Sequence, residues 1–299
     1  LNLNYSETNF TKVEDVIIPD NYYTRVKTNN KIIDDLFSGG LIPGTTFSLF
    51  SKQGYGKSSL ALTYLEMLGL QGYRVGICST EETIQQLSFT CKRLNIKNIE
   101  IANISDVDTI ADKLYDYDVV VVDSFQGLTH PKYDGHVRTI EKYAVEKLVS
   151  TAKSTDTILG IILHATKMGT EKGGTIVMHS VDMNMGIDKI KGAVESSRKI
   201  TITKNRFGRN NELDCYLNET GYDFNTPVTI LEDNKEPKRE RKEVTWQRIL
   251  DMKVPITLAN VTKLLDNNST KAYFVLREMS LNNMLIKNGR GQEAVFNKN

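Results

Sequence analysis

The sequence predicts an α/β fold: a twisted, mostly parallel sheet with helices on both faces, followed by a small C-terminal helical module. Three observations carry this. Four short segments, Thr46–Phe50, Val75–Cys78, Asp118–Val122 and Ile158–Leu163, are mostly apolar and rich in β-branched or aromatic residues. Strands buried on both faces lose the alternating pattern in this way. Helical patterns lie between them, at Ser58–Leu70, Thr83–Leu94 and Val137–Ser154, and strand–helix repetition favours parallel pairing. A glycine-bearing string, Ser51-Lys-Gln-Gly-Tyr-Gly-Lys-Ser58, occupies the first strand-to-helix junction.

The 299 residues exceed one average domain, so a large core with a smaller appendage is expected. Hydrophobic residues at 39% and charged residues at 25% fit a globular chain, neither disordered nor fibrous. No apolar run reaches the ~18 residues of a membrane span, and no charged-then-apolar leader opens the sequence. Cys78, Cys91 and Cys215 are widely spaced and no CxxC occurs, which argues against a disulfide framework or a cysteine zinc site. The expectation is a cytoplasmic protein without a membrane partner.

The later sequence adds Lys199–Lys204 and Leu213–Leu217 around a turn at Gly208–Asn211, which reads as a hairpin or an antiparallel addition. The core with its N-terminal extension is expected over residues 1–231. Residues 232–243, charged and without apolar periodicity, read as a linker. Residues 244–299 then spell a winged helix-turn-helix. Its helices are Thr245–Met252, Thr257–Asp266 (Leu258, Val261, Leu264 and Leu265 on one side) and a third from a Ser269 cap to Asn283. Its hairpin runs from Met284–Ile286 to Ala294–Phe296 around Lys287–Gly291. Residues 235–299 hold thirteen Lys/Arg against seven Asp/Glu, a balance of +6, on a core of −5. Such a tail suits a polyanion, although a solvated basic surface explains the charge equally well.

The glycine-bearing string has the chemistry of a phosphate-binding loop. Gly54, Tyr55 and Gly56 can curl their N–H groups inward, and the helix start at Lys57, Ser58 and Ser59 adds its positive dipole end. Lys57 would reach the terminal phosphates of ATP, and the Ser58 hydroxyl would ligate Mg2+. Ser51 departs from the usual pattern, which has glycine there. Asp123, closing the run Val119-Val-Val-Val-Asp123, is placed to hold the same Mg2+; a helix cap is the alternative. Glu81 and Glu82 follow the second strand. A carboxylate there can orient the attacking water, and Glu81 is assigned that task, while acids in the first turn of the next helix are the plainer explanation.

Together these residues resemble the RecA-like ATPases, and within them the bacterial RadA/Sms branch. The likeness spans approximately Arg25 to Phe224. It rests on Ile33-Asp-Asp-Leu-Phe-Ser-Gly-Gly-Leu-Ile-Pro-Gly44, the phosphate loop, Ser79-Thr-Glu-Glu82, Val121-Val-Asp-Ser124, His164-Ala-Thr-Lys-Met-Gly169 and Lys204-Asn-Arg-Phe-Gly208. The last is the most specific, being close to a RadA signature. The Glu-Glu-Thr turn also resembles KaiC, and the order of segments resembles the DnaB-type helicases.

The resemblance implies a hexameric ring of identical subunits with ATP between them. It implies Lys204 and Arg206 as cations reaching a neighbour's nucleotide, and His164 as a γ-phosphate sensor. An ordinary basic turn and a structural histidine are the plainer readings of the same residues. The loops Gln126–His136 and Lys167–Thr175, the second with Lys167 and Lys172, are candidates for contacting single-stranded DNA. In the tail, Lys271 and Arg277 would lie near bases or phosphates, with Lys287 and Arg290 in the wing. Winged helices also dock proteins, and that alternative stays open.

The sequence lacks the four-cysteine zinc module and Lon-like domain of RadA proteins, and the N-terminal helical domain of DnaB-type helicases. Such a trimmed core resembles phage-encoded RecA-like proteins. The expected function is a DNA-dependent ATPase translocating on single strands in recombination, repair or replication, alongside other proteins of those processes. A replicative helicase, a KaiC-like regulator indifferent to DNA and a winged-helix transcription regulator are the alternatives.

Overall fold

A computed structural model describes residues 10–133, 135–164, 174–230, 245–265, 267–289 and 294–299. The chain forms two compact units, Leu1–Leu231 and Glu232–Asn299. The linker expected at 232–243 lies outside the described residues.

The first unit is built on a nine-stranded sheet in the order β3-β2-β4-β5-β1-β6-β7-β8-β9. Strands β1 (Thr46–Ser51), β2 (Val75–Ser79), β3 (Glu100–Asn103), β4 (Val119–Asp123), β5 (Ile158–His164) and β6 (Met183–Lys189) are parallel. Strands β7 (Ser197–Asn205), β8 (Glu212–Asn218) and β9 (Gly221–Asp223) extend it antiparallel. The helices of this unit are α1 (Asp20–Thr24), α2 (Lys31–Leu36), α3 (Lys57–Gly69), α4 (Ile84–Arg93), α5 (Val107–Lys113), α6 (Val137–Ser154) and α7 (Gly174–Ser180).

Two cores flank the sheet, which is why β4 is apolar at each of Val119–Val122. Val119 and Val121 pack with Leu62, Leu65 and Leu68 of α3 on one face. Val120 and Val122 pack with Ile110 of α5 and Leu148 of α6 on the other. Consecutive side chains of a strand point to opposite faces, so both sets are buried.

Strands β3 and β6 were not foreseen. In β6, Asn184 interrupts the apolar pattern but is satisfied internally. Ser48 of β1 donates to its Oδ1 at 2.7 Å, and its Nδ2 donates to the Met178 carbonyl at 3.0 Å. A paired polar group can be buried at little cost where an unpaired one cannot. Strand β3 is the sheet edge, with Glu100 and Asn103 exposed, so it has no apolar signature.

The second unit has helices α8 (245–250), α9 (Leu258–Leu264) and α10 (Ser269–Leu281), with an antiparallel sheet β10-β12-β11. Its strands are β10 (Ile256–Thr257), β11 (Leu285–Asn288) and β12 (Val295–Lys298). Ile249, Val261, Leu265, Leu276, Met279 and Leu285 form its core. Asn268, not Ser269, caps α10, accepting from the Lys271 N–H. Among the described residues no helix is long and apolar enough to cross a membrane.

Candidate nucleotide-binding site

The phosphate-loop string bridges β1 and α3, at the C-terminal end of a central parallel strand where ligands of open α/β sheets bind. Gly54 and Gly56 have φ of 77° and 99°, a region only glycine enters freely. A Cβ on Gly56 would also fall 2.5 Å from Leu217 Cδ2 and 2.7 Å from the Tyr222 hydroxyl. That hydroxyl donates toward the carbonyls of Tyr55 and Gly56, both at 3.3 Å. Arg198 Nε donates to the Tyr55 carbonyl at 3.1 Å, so β7 and β9 brace the loop from outside. Ser51 keeps a negative φ, which is why serine is tolerated where glycine is usual.

Lys57 is buried, and its ammonium donates to the carbonyls of Ser51 at 3.1 Å and Lys52 at 3.5 Å. Burial lowers its pKa, while the Asp123 and Glu81 carboxylates pull it back up. Ser58 Oγ donates to Asp123 Oδ2 at 2.5 Å. Burial raises the Asp123 pKa, and the Ser58 bond, His164 and Lys57 act against that rise.

The Ser58–Asp123 pair fits a divalent cation of the magnesium type: two hard oxygens, one hydroxyl and one carboxylate, side by side. Among the described residues no three His, Cys, Asp or Glu side chains converge into a metal cage. Mg2+ needs none, since it keeps waters and phosphate oxygens in its shell.

A cleft of 460 Å³ opens over these groups, and Gly54, Ser59, Glu81, Glu82, Arg93 and His164 also line it. Glu81 Oε1 accepts from Ser124 Oγ at 2.6 Å and lies 3.6 Å from His164 Nε2. Ser124 is itself fixed. Its N–H donates to Thr80 Oγ1 at 3.0 Å, and the Thr80 hydroxyl donates to the Ser124 carbonyl at 2.9 Å. Ser79 Oγ accepts from the Glu82 N–H at 2.8 Å, and Gln126 Oε1 accepts from the His164 N–H at 3.3 Å.

Neither glutamate caps the following helix, contrary to the simplest sequence reading. Thr83 caps α4, in a reciprocal box with Gln86. Glu82 also lines the cleft, and burial pushes its pKa up, with Asp123 and Glu81 adding to the rise. The sequence assigns no role to Ser79, Thr80 and Ser124, and offers Gln126 only as the start of a DNA-contacting loop. All four lie within or beside the strings Ser79-Thr-Glu-Glu82 and Val121-Val-Asp-Ser124, so adjacency was the available signal.

Lys204 and Arg206 stand elsewhere. Strand β7 pairs Asn205 with Met183, which faces Phe47 near the start of β1, the end opposite the phosphate loop. The Lys204 ammonium donates to the carbonyls of Met178, His179 and Val181 at 3.1, 3.0 and 2.6 Å, closing the C-terminus of α7. Arg206 Nη1 lies 3.4 Å from buried Asp182. The Lys204–Gly208 turn packs on Ser38–Gly40. Arg25 bridges the carbonyls of Gly40 and Phe207 at 3.1 and 3.0 Å, and the Arg209 N–H donates to Ser38 Oγ at 2.9 Å.

Lys167, Lys172 and Arg290 lie outside the described residues. Lys271, Arg277 and Lys287 are exposed in the second unit.

No model of a known protein family matches the chain. The chain is similar to the DNA repair protein RadA of Chlamydia pneumoniae, 33% identical over 187 residues. It is also similar to RadA of Campylobacter jejuni, 29% identical over 211 residues. These matches take in 60% and 68% of this chain but 41% and 46% of the relatives, so the chain spans less than half their length. In structure it is similar to the KaiC-like protein PH0186 of Pyrococcus horikoshii OT3, with a TM-score of 0.56 at 19% identity, covering 69% of this chain and 98% of that one. A DnaB-like replicative helicase gives 0.59 at 12%, covering 68% and 62%. The chain has the RecA-like P-loop ATPase fold and is related in sequence to the bacterial RadA proteins.

Proposed function

We propose that this protein hydrolyses ATP with magnesium and couples the reaction to movement on single-stranded DNA, as a ring of identical subunits. The carrying observation is the meeting of Lys57, Ser58, Asp123 and Glu81 in one cleft at the end of β1 and β4. Bound magnesium, held by Ser58 and Asp123, would neutralise phosphate charge. The chain does the rest. The loop N–H groups and Lys57 bind and orient the phosphates, and the buried setting strengthens each charge interaction. Glu81, held by Ser124, aligns a water and takes its proton; His164, 3.6 Å from that carboxylate, would sense the γ-phosphate beside it.

Lys204 and Arg206 cannot reach the cleft of their own chain, so any part they take in hydrolysis is on a neighbouring copy. Sequence relation to DNA repair proteins named RadA supports a DNA-directed role. The test is ATP turnover by Lys57→Ala and Glu81→Gln. Lys57→Ala is expected to lose both binding and turnover. Glu81→Gln is expected to bind ATP normally and turn over ~10²-fold or more slowly. Normal turnover in Glu81→Gln would remove that residue from the water-orienting role.

A further inference from the structure

The second unit carries a groove of 290 Å³ between α9, α10 and the β11–β12 hairpin. Helix α10 buries Ala272, Leu276 and Met279 in the core of its unit, one face at helical spacing. A second stripe follows at Tyr273, Arg277 and Leu281, positions i, i+4 and i+8. Tyr273 is 53% exposed and Leu281 73%. Leu258 and Phe296 complete the apolar lining, Lys287 stands with Arg277 as its charge, and among the described residues no Asp or Glu lines it. An apolar concavity edged by two cations has the composition of a binding site.

That composition suits a protein segment better than a duplex. A helix reading base edges presents donors and acceptors outward, and backbone binding recruits several cations at once. Here the outward stripe offers a tyrosine, a leucine and one arginine. We propose that the groove docks an acidic protein segment. An apolar side chain of that segment fills the space beside Tyr273, Leu281 and Phe296, and its carboxylates pair with Arg277 and Lys287. This is an alternative to the expectation that Arg277 and Lys287 meet DNA, and it stands independently of the ATPase reading.

The test uses the full chain and fluorescence anisotropy with short labelled peptides. Each carries one Phe or Leu anchor flanked by Asp/Glu, by Ser or by Lys. The acidic set is expected to bind at least about tenfold more tightly than the serine set. Arg277→Glu with Lys287→Glu is expected to remove that margin and turn the preference to the lysine set, and Leu281→Asp to weaken every set. Thermal unfolding checks the variants, and Arg277→Gln with Lys287→Gln replaces the double reversal if that lowers the melt. Equal binding of acidic and serine peptides, or none, overturns the proposal. So does a short DNA duplex that binds the same full chain and depends on Arg277 more strongly than the acidic peptides do.

Discussion

Ser124 Oγ donates to Glu81 Oε1 at 2.6 Å, and Ser124 is wholly buried. The residue after Asp123 thus holds the carboxylate that faces the cleft. A charge-assisted bond of this length restrains the carboxylate to one orientation.

Ser124→Ala should therefore free Glu81 without touching the phosphate loop. The expected result is a kcat lower by about tenfold with ATP affinity unchanged. A raised Kd for ATP with unchanged kcat would make Ser124 a scaffold for the loop instead.

Asp123 carries a stability cost. Burial holds its pKa above the ordinary 3.8, so the folded chain binds that proton more tightly than the unfolded chain. Stability therefore falls as pH rises from the ordinary value through the raised one. Without magnesium or nucleotide, Asp123→Asn should melt ~2–4 °C higher at neutral pH, with the gap closing in acid. The same variant should lose ATP turnover. Scanning calorimetry across pH checks the first part and a phosphate-release assay the second.

Lys204 spends its three donors on the carbonyls of Met178, His179 and Val181. Lys204→Ala should cost about 1–3 kcal/mol of stability, because the last carbonyls of α7 lose a charged partner. A role on a neighbour's nucleotide is separable by mixing. Lys57→Ala and Lys204→Ala chains, each inactive alone, should regain turnover together, since some junctions then pair an intact loop with an intact lysine. No recovery on mixing, with both proteins folded and co-assembled, would leave Lys204 a purely structural cap.

The sequence disclosed what depends on runs and fixed spacings. Strand β4 is apolar at Val119–Val122 because two cores claim alternate residues, and the phosphate loop is legible because Gly54 and Gly56 take backbone angles that favour glycine. It hid what depends on pairing across distance. Strand β6 is polar at Asn184 because its partner is Ser48, far away in the chain. Glu81 could be named as a cleft carboxylate, but not its tie to Ser124. The location of Lys204 at the opposite end of the sheet follows from the β6–β7 register, which no local pattern encodes.

The proposed function has this cleft hydrolyse ATP in response to DNA. The measurement is the steady-state ATPase rate of the full chain without DNA, with single-stranded DNA and with duplex, using Lys57→Ala as the blank. Strong stimulation by single strands, absent from the blank, is the predicted result. A rate above the blank but equal in all three conditions would contradict it and turn the protein into a nucleotide-gated regulator that does not act on DNA.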